Sequence, residues 1–473
     1  MQGDEWDYVA EGGLHVVCRC RSKRGKVLRL RKSVEGGPVS CSRYDAADDA
    51  MGVIWRTIFG GQVVLESQRV PLDEAFLIEL SRRIEPHRPV QRRHATIDTT
   101  VSHGQLLDDA SQLLPPACED VVTVELKVKC GLKSSSPFTP SSRGLKRRLG
   151  RFHLMQLYKQ AQSLQTDNNA ARGRAVSLYD PCLLCSGNDL LVSQALHALV
   201  ANPQNNLLLF RNGHPCAKLS SDGDGTRGGH AEHWDADLLV EAVSAVLARS
   251  DILPRLQMAQ SLDFIDIEGA SLAFARVERE LGGRHAAEQA VLESFRSFDY
   301  AAQNRLVSLL MQEAEHELGN AAAAASHPAS ARAIPAPYAS PMEVLFHLRL
   351  GEEDTVEEEE KKRRLASAFL DSCSATACLE LLQYWLLALT AKDASLMISL
   401  AFQSALTEST ECRGPCQGSI TITPEICNGA LPIRLVYSMG LVDMGLKHPR
   451  KCWSKADKEE AILQAIASIS SIK

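Results

Sequence analysis

Glu125, Lys127 and Lys129 alternate with Val124, Leu126, Val128 and Cys130 in VVTVELKVKCG, Val121 to Gly131. A period of two assigns the charged residues, with Thr123, to one face of a β-strand and the apolar residues to the other. One apolar face is ordinary for a strand. A carboxylate and two ammonium groups in line on the opposite, half-buried face require ionic partners. Lys133, Arg143, Lys146, Arg147, Arg148, Arg151 and Lys159 follow before any further acid. From Val121 to Gln160, nine Lys or Arg stand against the single Glu125, a local balance of +8 in a chain of net charge −6. Positive charge gathered in this way suits a small polyanion better than a long nucleic-acid track, which favours a basic chain overall.

Several elements must position this strand. Glu11-Gly12-Gly13 lies between Trp6-Asp7-Tyr8 and the run His15–Val17, and Gly25–Lys32 reads as the next strand, with Val27, Arg29 and Arg31 on one face. Paired glycines between strands form either a plain turn or a lid whose backbone N–H groups approach phosphate. Leu72–Ile84 is an amphipathic helix, followed by a loop, Glu85–Arg93, with its own basic cluster. Pro115-Pro116 leads into the organising strand, so a domain hinge is expected near Asp109. Beyond it, Ser134–Ser142 reads as loop, Leu145–Gln165 as a helix with a basic first half, and Asp189–Val200 as a helix stopping before Pro203-Gln204-Asn205-Asn206 and the strand Leu207–Phe210. Helices at Asp235–Arg249 and Arg284–Arg296 flank Leu262–Ala270, and one helix is expected from Glu352–Arg364 on towards Leu389. Ser220–Gly229 reads as a mobile loop and the Ala/Pro/Ser-rich Gly319–Ser340 as disordered. Asp393, before the run Ala394–Phe402, and Asp443, in LVDMGLK, each read alone as a turn residue at a strand end.

The chain has 473 residues, two or three domains' worth, with 45% apolar and 23% charged residues, a globular composition. No run of about 18 uninterrupted apolar residues exists, so no membrane span is expected. The N-terminus is acidic without an apolar core, unlike a signal peptide, and the 14 cysteines are scattered, so an intracellular, reduced protein (cytoplasm or nucleus) is expected. Lys146-Arg147-Arg148 reads as a nuclear-targeting patch or a solvated helix face rather than a ligand contact. Cys182-Leu-Leu-Cys185 has zinc-like spacing without a second pair nearby and reads as buried thiols. His230 with His233, and Cys412 with Cys416, are equally thin as metal sites.

Taken together, these stretches resemble the inositol-pentakisphosphate 2-kinase family in its plant-like form. Its Glu-x-Lys-Pro-Lys-Cys-Gly strand is matched by Glu125–Gly131, its Arg-Phe helix start by Arg151-Phe152, and its helix lysine by Lys159. Its Tyr-Asp-Pro turn recurs at Tyr179–Pro181, Pro-Gln-Asn-Asn at Pro203–Asn206, Asp-Ile-Glu-Gly-Ala at Asp266–Ala270, and Thr-Ala-Lys-Asp at Thr390–Asp393. The late Asp with Lys four residues on falls on Asp443 and Lys447. The departures are Val128 for the strand proline, Met155 for a histidine, Asp108-Asp109-Ala110 for the Asn-Asp-His hinge, Lys451 and Lys455 for an arginine and a tyrosine, and a missing Pro-Leu-Leu-Gly segment after Trp55.

The resemblance implies a two-lobed ATP-grasping, distantly protein-kinase-like α+β fold, with mixed sheets and a helical insert in the larger lobe. The lobes are expected at 1–109 and 110–473, with the insert at about 228–345 and a disordered segment at 319–340. The implied activity is ATP-dependent phosphorylation of the 2-hydroxyl of inositol pentakisphosphate, by a monomer with no membrane or nucleic-acid partner. Asp393 would be the catalytic carboxylate and Lys127 a catalytic cation. Gly12, Gly13, Arg29, Asp108, Glu125 and Asp443 would serve ATP, Asp443 through Mg²⁺. Arg92, Lys129, Lys159, Asn205, Asn206, Lys447 and Lys451 would hold the inositol phosphate. The plant structural zinc is not expected, since no cysteine occurs between Cys216 and Cys373. The alternative, motivated by the altered hinge and shortened first lobe, is a degenerate protein that binds inositol phosphates without turnover.

Overall fold

The computed structural model describes residues 5–23, 25–33, 41–115, 117–118, 120–165, 176–216, 234–321, 340–403, 417–422 and 432–470. Ser220–Gly229, His230 with His233, Cys412 with Cys416 and most of Gly319–Ser340 lie outside them. The molecule mixes helices with two antiparallel sheets.

The first sheet contains β1 (Trp6–Glu11), β2 (His15–Cys20), β3 (Lys26–Arg31), β4 (Ser67–Pro71) and β5 (His103–Asp108), in the order β1-β2-β3-β5-β4. Val16, Cys18, Leu28 and Leu30 alternate inward, and Phe76, Leu77, Leu80 and Ile84 of one helix cover them. That helix, Glu74–Ile84, starts later than its apolar period because the Asp73 side chain accepts from the Phe76 amide as its N-cap. Beneath the Gly12-Gly13 turn lies a buried ionic triad. Glu11 accepts from Lys32 Nζ at 2.7 Å and from Arg88 Nη2 at 2.8 Å, and Arg88 also donates to the carbonyls of Arg92 and Ala95.

The second sheet contains β6 (Val122–Lys127), β7 (Leu207–Arg211), β8 (His214–Cys216), β9 (Ser395–Phe402), β10 (Gln417–Ile422) and β11 (Ile433–Val442), in the order β10-β11-β9-β6-β7-β8. The expected mixed sheets are therefore corrected: every strand ladder among the described residues is antiparallel, the one parallel pairing being an isolated bridge, Val64 to Leu441. Alternation specifies the face of each side chain but not the direction of its neighbour. The organising strand is also shorter than its alternation: it ends at Lys127, and Lys129 turns out of line with φ +63°.

Helices pack around this sheet, and Leu381–Ala391, the buried end of the helix Ala375–Ala391, runs through the larger core. The helix Cys41–Phe59 contributes Met51, Ile54, Trp55 and Ile58 to the same core. Two expected helices are broken. Leu145–Gln165 divides into Leu145–Arg148 and Arg151–Gln165 around Gly150. The acidic helix stops at Ser372, and a new one starts after Ser374, whose side chain caps the Ala377 amide. Asp266–Ala270 opens a helix, Asp266–Leu281. Among the described residues, no helix is long and apolar enough to cross a membrane.

The basic run after β6 is only partly a solvated face: Arg148 is exposed, but its neighbours are largely paired with acids. Lys146 is 5% exposed, with carboxylates of Asp266, Glu268 and Glu459 at 3.0, 2.9 and 3.4 Å. Arg143 pairs with Glu268 and Glu460, Arg147 with Glu359, and Arg151 with Glu459. These acids come from distant helices, which is why local charge counting missed them. Replacing Lys146 by Ala leaves buried carboxylates short of a cation. It should cost about 3–5 kcal/mol of stability, read as an earlier unfolding midpoint in denaturant, whereas Arg364→Ala on the surface should change it little.

Candidate active site

A cleft of 1640 Å³ opens between the two sheets, lined by Tyr8–Gly12 and Arg29 from one side and by Glu125, Lys127 and Leu207–Phe210 from the other. Arg92, Asp108 and Asp443 also face it. Seven of the residues expected to act together thus share one space, although they come from elements spread along the chain.

Each is held by its backbone element. Lys127 and Glu125 project from the end of β6, their charged atoms 3.8 Å apart, and the Ser395 hydroxyl donates to Glu125 at 3.0 Å. Arg29 donates to Gln105 Oε1 at 2.7 Å, lies 2.9 Å from His15 Nδ1, and has Asp48 at 3.7 Å. Asp443 ends β11 with φ +62°, a left-handed conformation that an L-residue adopts only when its surroundings enforce it. Here Trp55 Nε1 donates to the Met444 carbonyl, the Leu446 amide donates to Asp48, and Arg29 lies so close to Gly445 that a Cβ there would stand 2.6 Å from its Nη2. Asp48 and Trp55 were not singled out in the sequence; inside a helix they carry no motif.

The hinge carboxylates are engaged. Asp108 takes Lys26 Nζ at 2.5 Å across the β3–β5 ladder, and buried Asp109 takes Arg19 Nε at 2.6 Å. Arg19 also reaches the Gly213 carbonyl at 2.8 Å, tying the first sheet to the β7–β8 turn. Exposed Arg92 is positioned through its own carbonyl by Arg88. Gly12 closes its turn by donating to the His15 carbonyl, and Gly13 is open to solvent.

Next to the cleft, cations converge on Asp393. This carboxylate is 43% exposed, with Lys447 Nζ at 3.6 Å. Burial works to raise its pKa, but Lys455, Lys447 and Lys129 outweigh it and hold the group below its ordinary value. Lys129 is pushed down, chiefly by burial and then by Lys127 and Lys159, with Asp393 and Asp443 opposing. Lys455 is pushed down to about 8 by burial, with Arg151, Lys392 and Lys447 adding. Such depressed ammonium groups are cations waiting for negative charge. Lys451 is exposed at the start of the last helix, Lys451–Ser470. Lys159 donates to Gln204 in the Pro203–Asn206 stretch, where Asn205 is exposed. Asn206 is buried, and its carbonyl accepts from the Lys127 amide at 2.8 Å.

One amide organises this half. Gln260, 1% exposed, donates to the Lys129 carbonyl at 2.6 Å and to the Ala391 carbonyl at 3.4 Å, and accepts from the Gly131 amide at 2.9 Å. It joins the turn at Lys129 to the helix end two residues before Asp393. Tyr179 of the Tyr-Asp-Pro turn donates to the Val128 carbonyl at 2.8 Å. A lone Gln inside a helix gives no sequence signal, so this clamp was not foreseen.

Among the described residues, no three His, Cys, Asp or Glu side chains gather as a metal cage, and Cys182 and Cys185 are free thiols. The arrangement offers an ionised carboxylate ringed by cations at the rim of a large cleft, with a second carboxylate at the end of β11.

A family model described as inositol-pentakisphosphate 2-kinase matches residues 8–460. The chain is 29% identical over 323 residues to the inositol-pentakisphosphate 2-kinase of Arabidopsis thaliana, covering 56% of this chain and 68% of that protein. Against the Danio rerio protein of that name it is 26% identical over 367 residues, covering 59% and 71%. Against the Oryza sativa subsp. indica protein the figures are 25% over 312 residues, 57% and 68%.

The clamp is testable by itself. Gln260→Leu removes the partner of two backbone groups, the Lys129 carbonyl and the Gly131 amide, at about 1–3 kcal/mol each, so a loss of roughly 2–4 kcal/mol is expected in chemical denaturation. A denaturation curve superimposing on that of the parent protein would refute it.

Proposed function

This chain belongs to the inositol-pentakisphosphate 2-kinase family, and on that premise we propose how its residues divide the labour of moving the γ-phosphoryl group of ATP to the 2-hydroxyl of inositol 1,3,4,5,6-pentakisphosphate. The observation that carries the reading is Asp393: a partly exposed carboxylate kept ionised by surrounding lysines, with Lys447 Nζ 3.6 Å away. An ionised carboxylate there can orient the attacking hydroxyl and take its proton. Phosphoryl transfer needs positioning and charge neutralisation more than covalent chemistry. Lys127, beside Glu125 in the cleft, supplies a cation to the transferring group.

Gly12, Gly13, Arg29, Asp108 and Glu125 take the nucleotide, with Asp108 free to do so only as its pairing with Lys26 loosens. The donor chemistry at Asp443 fits Mg²⁺: a hard carboxylate oxygen at the cleft, suited to an ion that would keep waters and phosphate oxygens in the rest of its shell. When bound, the ion would neutralise phosphate charge. Lys129, Lys159, Lys447, Lys451 and Arg92, with Asn205, face the five phosphates of the acceptor, while buried Asn206 serves them by holding the Lys127 backbone. Depressed Lys129 and Lys455 support this, because a polyanion relieves the like-charge crowding that free protein must tolerate. We read the two sheets as the cores of two lobes of an ATP-grasping, kinase-like fold, divided near Asp109 and acting as a monomer.

Asp393→Asn should lower kcat by roughly 10²–10⁴-fold while inositol phosphate binding holds or tightens. Lys129→Ala should instead raise KM for the inositol phosphate. Hexakisphosphate resolved by anion exchange, with melting curves for each variant, is the readout. Retention of parental kcat by Asp393→Asn would end the assignment.

Lys455 adds a pH dependence whose two signs differ. Between about 8 and the ordinary lysine value of 10.5, the unfolded chain holds a proton that folded Lys455 has lost, so the free protein gains stability as pH rises. Bound phosphate restores that proton, so affinity for inositol hexakisphosphate should fall over the same range. Titration calorimetry should show this step, and Lys455→Met should flatten it.

A further inference from the structure

Between the helix Ala375–Ala391 and β9 the chain has three residues, Lys392, Asp393 and Ala394, in which to turn. The Lys392 amide closes the helix on the Ala388 carbonyl, and the Asp393 amide donates to the Thr390 carbonyl at 3.0 Å. Ala394 is buried, and Ser395 is already in register with Val442 and Lys127. The backbone is thus fixed at both ends, and the side chains of the turn part company. Asp393 stands at the basin, 43% exposed, whereas Lys392 turns in to Asp263, with Nζ 2.5 Å from Oδ2. A lysine after the last turn of a helix can meet the carbonyl ends from water at no desolvation cost. Half-buried ion pairs add little net stability once desolvation is counted, yet losing one member strands the other. What this pair supplies is direction.

Asp263 is itself pinned. Its side chain is 8% exposed, its Oδ1 accepts from the Asp266 amide at 2.8 Å, and Leu262, Phe264 and Ile265 around it are buried. Asp266 takes φ +49°, and its carboxylate accepts from the Ser134 hydroxyl at 2.8 Å and lies 3.0 Å from Lys146. Three residues before Asp263, Gln260 holds the Lys129 carbonyl and the Gly131 amide. One short segment, residues 260–266, therefore grips the Lys129 turn through Gln260 and the Asp393 turn through Asp263. The spacing between the carboxylate and the lysine is set there, away from either side chain.

We propose that Lys392, anchored on Asp263, is a positioning residue for phosphoryl transfer: it fixes the turn that presents the Asp393 carboxylate to the acceptor hydroxyl. The inference rests on the reading that Asp393 orients that hydroxyl and takes its proton. Lys392 touches neither reactant and acts through the direction of its neighbour. Removing the anchor leaves the phosphates their cations, so binding should hold while turnover falls. A helix-end cation that only builds the fold would instead cost stability and leave the kcat of folded protein alone.

The test is kinetics on Lys392→Met, Lys392→Arg and the paired replacement of Lys392→Met with Asp263→Leu, which strands neither charge. Melting curves and calorimetric binding of inositol hexakisphosphate run alongside. At a temperature where each protein is folded, Lys392→Met and the paired replacement should lower kcat roughly 10- to 100-fold, as a displaced reacting group does. Affinity for the hexakisphosphate should stay within about twofold of the parent. Lys392→Arg should restore most of kcat, since a cation again reaches Asp263. In an Asp393→Asn background, Lys392→Met should cost less than about threefold further, because the base it positions is gone. Parental kcat in the paired replacement, or a loss that multiplies with that of Asp393→Asn, overturns the proposal. If Asp393→Asn alone keeps parental kcat, the functional reading beneath falls, and the proposal with it.

Discussion

A cation that is to bind a polyanion has to be held in place without being neutralised, and the partners chosen for basic residues follow from that constraint. Where Lys or Arg builds the fold, it meets acids: Lys146 with Asp266, Glu268 and Glu459, Lys32 and Arg88 with Glu11, Lys392 with Asp263. At the cleft and the basin beside it the acids stand farther off, Asp48 3.7 Å from Arg29, Glu125 3.8 Å from Lys127 and Asp393 3.6 Å from Lys447, and the close partners are amides and an imidazole: Gln105 and His15 for Arg29, Gln204 for Lys159. Those partners supply direction and leave the charge available.

The same economy extends to the backbone. Lys129, Gln204 and Asp443 all take positive φ without being glycine, and all three belong to the site or its border. Such conformations cost of order 1–3 kcal/mol each and persist only where neighbours over-determine them. Gln260 does so at Lys129, and Trp55, Asp48 and Arg29 do so around the Asp443 turn. Of these clamps, Gln260 and Trp55 are neutral and buried. They can be rigid because they take no part in charge balance.

Much of this was legible in the chain. The period of two at Glu125–Lys129 marked a strand that lines the cleft, though it ends at Lys127, and ordered agreement with one family's motifs drew attention to both late aspartates, which local reasoning alone assigned to turns. The basic stretch after it was misread because the acids neutralising Lys146 stand 120 to 313 positions later in the chain and leave no mark on its local pattern. Gln260 and Trp55 were missed for a related reason: each acts by touching backbone, with no spacing to announce it. Sheet direction was missed because alternation carries no information about it.

β6 and β9 are neighbours, and Ser395 bonds to Glu125 across 270 positions of chain. During synthesis the first sheet, closed by Asp108, is complete while most of the polypeptide is still unmade. The basic strand emerges soon afterwards, yet its central neighbour arrives only once the helical region has been translated. Loop closure on that scale is slow, and an unpaired strand edge is a hazard meanwhile. The nascent chain thus carries the lysines of this strand without their central neighbour for most of its production, open to any polyanion, and the ribosome itself is the nearest.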